Sequence, residues 1–150
     1  MSQGQFVSKY SQGFYTPTNP EKYIGKGSIR YRSSWEWAYM NFLDESSGVL
    51  QWASESIRIP YRNPFTGKNT IYVPDFFMLY VDKDGKKHAE VIEIKPSKET
   101  TMEGAKSMRD RASVALNQAK WAAANAWCRS QGLVFRVLTE SDIFQGKKHK

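Results

Sequence analysis

The stretch Thr70 to Val81, TIYVPDFFMLYV, is rich in β-branched and aromatic residues and predicts one continuous strand. Side chains alternate along a strand, so Ile71, Val73, Asp75, Phe77 and Leu79 share a face. Asp75 is therefore a carboxylate in an otherwise apolar row. The next run, Ala89 to Lys95, puts Val91, Glu93 and Lys95 on one face and Glu90, Ile92 and Ile94 on the other. Between the two runs, Asp82-Lys83-Asp84-Gly85-Lys86 has the Asp and Gly chemistry of a hairpin turn, so the strands are expected to pair antiparallel. A slip of one residue in this register exchanges the faces, which leaves Glu36 and Glu90 as alternatives for one role.

A carboxylate removed from water either protonates or finds a cation, and two on neighbouring strands also repel. A divalent ion reverses that penalty. Mg²⁺ takes hard oxygen ligands, needs only one or two protein carboxylates, and completes its octahedron with water and phosphate. Lys95, one strand repeat beyond Glu93, would hold a water or a phosphate oxygen beside it. An isolated Glu-x-Lys reads more simply as a solvated strand face. Pro74-Asp75 on the preceding strand and a third acid upstream favour the metal reading instead.

That third acid, Glu36, sits on a helix. Ser33-Ser34 is an N-cap signal, and Trp35, Tyr39, Met40, Phe42 and Leu43 recur with helical spacing. Glu36 shares a stripe with Met40 and Leu43, at or beside the core face. An acid this close to a helix N-terminus also favours the macrodipole without any further role.

The order Glu36 on a helix, Pro74-Asp75, then Glu93-Ile94-Lys95 resembles the PD-(D/E)xK nuclease superfamily, which has the restriction-endonuclease-like fold. Arg32-Ser33-Ser34-Trp35-Glu36, Tyr72-Val73-Pro74-Asp75-Phe76 and Val91-Ile92-Glu93-Ile94-Lys95-Pro96 look like its branch of transposon-end nuclease subunits and head completion nucleases of T-even-type phages. The resemblance spans about residues 15–143. It implies an α/β fold with an αβββαβ core, in which helices flank a mixed central sheet. It also implies a Mg²⁺-dependent deoxyribonuclease, with Mn²⁺ as a substitute, that leaves 5′-phosphate and 3′-hydroxyl ends. The implied metal ligands are Asp75, Glu93, the Ile94 carbonyl, and Glu36 directly or through water, with Lys95 beside them. DNA would be the substrate, and phage head or portal proteins the partners. Two alternatives stand beside trimming of DNA ends in head completion: a DNA-binding assembly factor with little catalysis, and a transposition- or junction-associated nuclease.

Composition agrees with a polyanionic partner. The chain has 150 residues, enough for one domain with a real core, and a formal net charge of +7. No apolar run approaches the ~18 residues of a membrane span. The single cysteine, Cys128, rules out an internal disulfide, and with no signal-peptide pattern a cytoplasmic location is expected. Only His88 and His149 accompany it, too few for zinc or for a thiol nucleophile. An EF-hand frame beginning at Asp82 fails because Lys86 and Lys87 stand where a ligand and a glycine belong.

Two regions follow: residues 1–31, polar and Gly/Ser/Tyr-rich, read as an extended arm packing only in part, and residues 32–150, the nuclease domain with a short basic tail. Glu55 to Pro60 is expected as a short strand, followed by a turn at Asn63-Pro64-Phe65-Thr66-Gly67. Pro96 ends the Glu93 strand and opens a polar, mobile connection to about Gly104. Ala105 to Gln131 predicts a long helix packed through Ala112, Leu116, Ala119 and Ala123, with Gly132 as its stop. Leu133 to Thr139 then closes as a strand, and a helical crossover permits parallel pairing. Lys106, Arg109, Arg111 and Lys120 either contact DNA phosphates or form the helix's solvent face. The resemblance adds Gln118 as an accessory polar residue.

Overall fold

The computed structural model of the protein describes residues 12–144. In chain order the elements are β1 (Gly13–Tyr15), β2 (Ile29–Tyr31), α1 (Ser34–Glu45), β3 (Val49–Ser54), β4 (Ile59–Arg62), β5 (Asn69–Tyr72), β6 (Phe76–Val81), β7 (Lys87–Ile94), α2 (Met108–Ser130), β8 (Val134–Leu138) and α3 (Glu140–Phe144). A four-stranded sheet in the order β3-β6-β7-β8 forms the centre. β3, β6 and β7 run antiparallel, and β8 joins β7 in parallel after the α2 crossover. The mixed sheet flanked by helices is the restriction-endonuclease-like arrangement.

Each face of the sheet has its own core. On one side Met40 and Leu43 of α1 pack with Trp52, Phe76, Met78, Ile92 and Ile94. On the other, Ala124 and Cys128 of α2 pack with Val91, Phe135, Ile59 and Tyr72. The period-two reading of β7 is thus realised, with Val91 toward α2 and Ile92 and Ile94 toward α1. The hairpin turn is as expected: Asp82 Oδ1 accepts from the Asp84 and Lys86 amides, and Gly85 takes φ 83°.

Four expectations are corrected. The Thr70–Val81 run is two strands, because Val73-Pro74-Asp75 interrupts it. β5 pairs with β4 in a separate two-stranded wing, and β6 enters the central sheet. A proline cannot donate to a ladder, so the chain changes sheets there. The Glu55–Pro60 strand is also displaced: the central sheet uses β3, and the chain from Ile59 belongs to the wing. On α2 the buried stripe is Val114, Asn117, Ala124 and Cys128, while Ala112 is exposed. The connection after Pro96 forms two short 3₁₀ turns, Ser97–Glu99 and Met102–Gly104.

The described part of the segment read as an arm packs against the first core. Tyr15 and Ile29 are buried there, and β1 pairs with β2. Buried Asp44, in the last turn of α1, holds this segment through its carboxylate. It accepts from the amides of Thr18 at 2.8 Å and Asn19 at 3.0 Å, while its carbonyl accepts from Lys22 Nζ at 2.8 Å. The first eleven residues of that segment and the basic tail lie outside the described residues.

Candidate active site

Ser33 caps α1 by accepting the Glu36 amide at 3.2 Å. Glu36 reaches back the other way, its Oε1 accepting the Arg32 amide at 2.9 Å. This reciprocal arrangement satisfies two amides that have no partner within the helix. It also fixes the Glu36 carboxylate at the border of the core, half-buried. Burial raises its pKa, opposed by the Arg32 amide and aggravated by the charge of Glu55.

Asp75 follows Pro74 at the point where the chain enters β6. Phe76 pairs with Ile92, so Asp75 stands next to Glu93 across the ladder. The Ile94 amide donates to Asp75 Oδ2 at 2.8 Å. Burial holds the Asp75 carboxyl far above the usual carboxylate range, and the charges of Glu93 and Glu36 add to it; the Ile94 amide and Lys95 offset only part. Glu93 is buried and is also raised, chiefly by burial. Four groups work against that rise: the Tyr72 hydroxyl, which donates to Glu93 Oε1 at 2.7 Å, Lys95, whose Nζ is 3.8 Å from Oε2, Lys120, and the Asp75 backbone amide.

Glu36, Asp75, Glu93 and Lys95 thus influence one another in a single electrostatic cluster. Glu90 is excluded from it: it points to the α1 side, accepting from the Tyr80 hydroxyl at 2.9 Å and Arg136 Nη1 at 3.0 Å. Lys120 lies against the cluster, its ammonium 5.7 Å from the centre of the Tyr72 ring. Lys106, Arg109 and Arg111 are exposed around the start of α2, and Gln118 is exposed on its outer face. Buried Asn117 beside it donates to the Glu99 carbonyl over 3.5 Å. Cys128 is buried, its thiol pushed up to about 11 by desolvation, in keeping with a packing role.

Three further residues belong to the surroundings of the cluster and carry no obvious sequence signal. Tyr72 reads as one more aromatic in a strand. Arg32 and Glu55 form a two-pronged ion pair, Nε to Oε2 at 2.8 Å and Nη2 to Oε1 at 3.2 Å. The Glu55 amide donates to the Asp75 carbonyl at 2.9 Å. Glu55 has φ 51°, and among the described residues it is alone among non-glycines in having positive φ. That conformation costs a residue with a Cβ roughly 1–2 kcal/mol, whereas an exposed ion pair typically returns about 0–1 kcal/mol. Stability alone therefore does not account for a glutamate here.

The donor set fits a hard divalent ion of a particular kind. Half-buried Asp75 lies next to buried Glu93, whose charge raises the Asp75 pKa further, the electrostatic deficit that a cation relieves. Among the described residues, however, no three acidic, histidine or cysteine side chains gather as a cage. The fit is to an ion held by two carboxylates and completed by water and phosphate, as Mg²⁺ prefers.

A four-stranded mixed sheet between helices, with Asp75 and Glu93 side by side where β6 and β7 meet, has the restriction-endonuclease-like arrangement. Residues 46–140 match the family model described as TnsA-like endonuclease N terminal, and the chain belongs to that family. It is also 34% identical over 142 residues to the head completion nuclease of Enterobacteria phage T4, covering 87% of this chain and 92% of that protein.

Proposed function

We propose that this protein is a Mg²⁺-dependent DNA endonuclease that acts on DNA ends as a phage head is completed. The observation that carries the chemistry is the pair of half-buried Asp75, at the entry to β6, and buried Glu93 on β7, with Lys95 beside them. The family match and the T4 relative support the substrate and the setting.

Asp75, Glu93 and the Ile94 carbonyl would hold the ion, with Glu36 reaching it through water. When bound, it would supply Lewis-acid stabilisation of phosphoryl charge and a lowered pKa for an attacking water. The chain's own groups do the rest. The Ile94 amide fixes one Asp75 oxygen and the Tyr72 hydroxyl fixes one Glu93 oxygen, so the remaining oxygens have defined directions. Lys95 orients the attacking water or steadies charge on the phosphate. Lys120, with Lys106, Arg109 and Arg111 outside the cluster, contributes backbone contacts to DNA. Host cytoplasm is the expected location. No helix among the described residues is long and apolar enough to cross a membrane.

The test is cleavage of linear, nicked and supercoiled plasmid with Mg²⁺ or EDTA, comparing wild type with Lys95→Ala. Metal-dependent cutting that the variant lacks is the expected result. DNA binding with no cutting of any form would instead leave a DNA-binding assembly factor.

A further inference from the structure

Arg32 and Glu55 are linked to the acidic cluster through the main chain as well as through charge. The Arg32 amide is bonded to Glu36, and the Glu55 amide to the Asp75 carbonyl. Their side chains then pair with each other, near enough to both acids for the charges of Glu36 and Asp75 to act on Arg32. Glu55 engages the Nε and Nη2 edge of the guanidinium. The opposite edge, Nη1 with the second Nη2 hydrogen, has no hydrogen-bond acceptor among the described residues, and the side chain is 52% exposed. An arginine gripped on one edge presents a second planar fork, which matches two oxygens of a phosphate.

We infer that Arg32 binds a DNA backbone phosphate next to the scissile one, and that Glu55 is the positioning residue that aims it. The inference rests on the nuclease reading of the cluster. Three observations converge on it. The free fork lies beside acids that would otherwise repel DNA. The pair is tied by hydrogen bonds to the residues that flank the reaction. Glu55 keeps its side chain at a backbone conformation that glycine would occupy more easily, as strained residues at functional sites do. A pair serving only the fold would gain from glycine at 55; a pair that aims a guanidinium would not.

The experiment combines binding and cutting on one fluorescent duplex. Anisotropy in EDTA over a range of salt reads phosphate contacts, cleavage with Mg²⁺ reads positioning, and thermal melting reads the fold. Arg32→Ala is expected to make the slope of log affinity against log salt shallower by about 1, and to slow cutting by roughly tenfold, the scale of a lost positioning group. Arg32→Lys should restore the slope without restoring the rate, since an ammonium has no fork. Glu55→Gly should melt at or above wild type and bind DNA in EDTA at least as tightly, yet cut roughly tenfold more slowly.

An unchanged salt slope in Arg32→Ala, or wild-type cutting by Glu55→Gly, overturns the assignment. So does a large rise in the Mg²⁺ requirement of Glu55→Gln, which would make Glu55 a metal ligand. If wild type itself does not cut but the Arg32 slope change persists, the nuclease reading fails and the phosphate contact stands.

Discussion

The Tyr72 hydroxyl donates to Glu93 Oε1 at 2.7 Å, and this contact ties the end of the β4–β5 wing to the strand that carries Glu93 and Lys95. Glu93 is buried, so the bond supports its charged form and fixes its orientation. Tyr72→Phe should therefore act on metal use more than on folding. Partners of metal ligands typically matter by 10–100-fold in affinity or activity, whereas one neutral hydrogen bond contributes about 1 kcal/mol to stability. We expect a Mg²⁺ titration of cleavage to shift by about tenfold, while melting changes little. A large loss of thermal stability with an unchanged titration would make Tyr72 a packing residue.

Asp75 and Glu93 both have raised folded pKa values without metal, mainly through burial and, for Asp75, through Glu93. Between the ordinary carboxylate range and those raised values, the folded state holds more protons than the unfolded state. Stability from this source is fully present at low pH and falls as pH rises through the folded values. In EDTA at pH 8, Asp75→Asn should thus melt above wild type, and the gap should close on acidification. Added Mg²⁺ should stabilise wild type and not the variant, which should also fail to cut. A variant less stable than wild type at pH 8 in EDTA would contradict this account.

Glu90 and Glu93 lie on opposite faces of β7, and their substitutions should separate accordingly. Glu93→Gln is expected to abolish cleavage with a modest effect on the fold. Glu90→Gln breaks a buried contact with Arg136 and Tyr80 and should cost about 1–3 kcal/mol, leaving cleavage of the folded fraction unchanged. Circular dichroism melts and plasmid cleavage on the same preparations separate the two.

Asp44 should prove a stability residue. It is fully buried and is held by the amides of Thr18 and Asn19. Asp44→Ala leaves those donors without their acceptor and should cost about 2–4 kcal/mol, more than one typical neutral hydrogen bond. Limited proteolysis should then open the chain near residues 15–23 before the central sheet.

Much of the fold was legible because its signals are local. Ser33 announces the α1 cap, Asp82 to Gly85 the hairpin, and Gly132, at φ 75°, the end of α2. Strand parity separated Glu93 from Glu90 on β7, whereas Asp75 and Lys95 lie just outside β6 and β7. Other features were hidden for physical reasons. The register of β3 shifts between Val49 and Gln51, so its alternation is broken where a period of two would be sought. Pro74 could have split the Thr70–Val81 run, but the surrounding apolar residues look alike in one sheet or in two. Alanines on every side of α2 blur its inward stripe, and the buried polar Asn117 sits within that stripe. Tyr72, Arg32 and Glu55 enter the cluster through tertiary contacts that no spacing encodes.

β3 and β6 are direct neighbours, with Ser54 opposite Phe76, so everything from Glu55 to Asp75 is an excursion that leaves one rung of the ladder and returns to the same rung. The hydrogen bonding of the central sheet would close without it. Yet the excursion carries Asp75, Tyr72 and Glu55, three of the residues in and around the acidic cluster. Scaffold and chemistry are thereby separable in this chain: local melting of the wing would silence the site while leaving the sheet folded and ready to reassemble it.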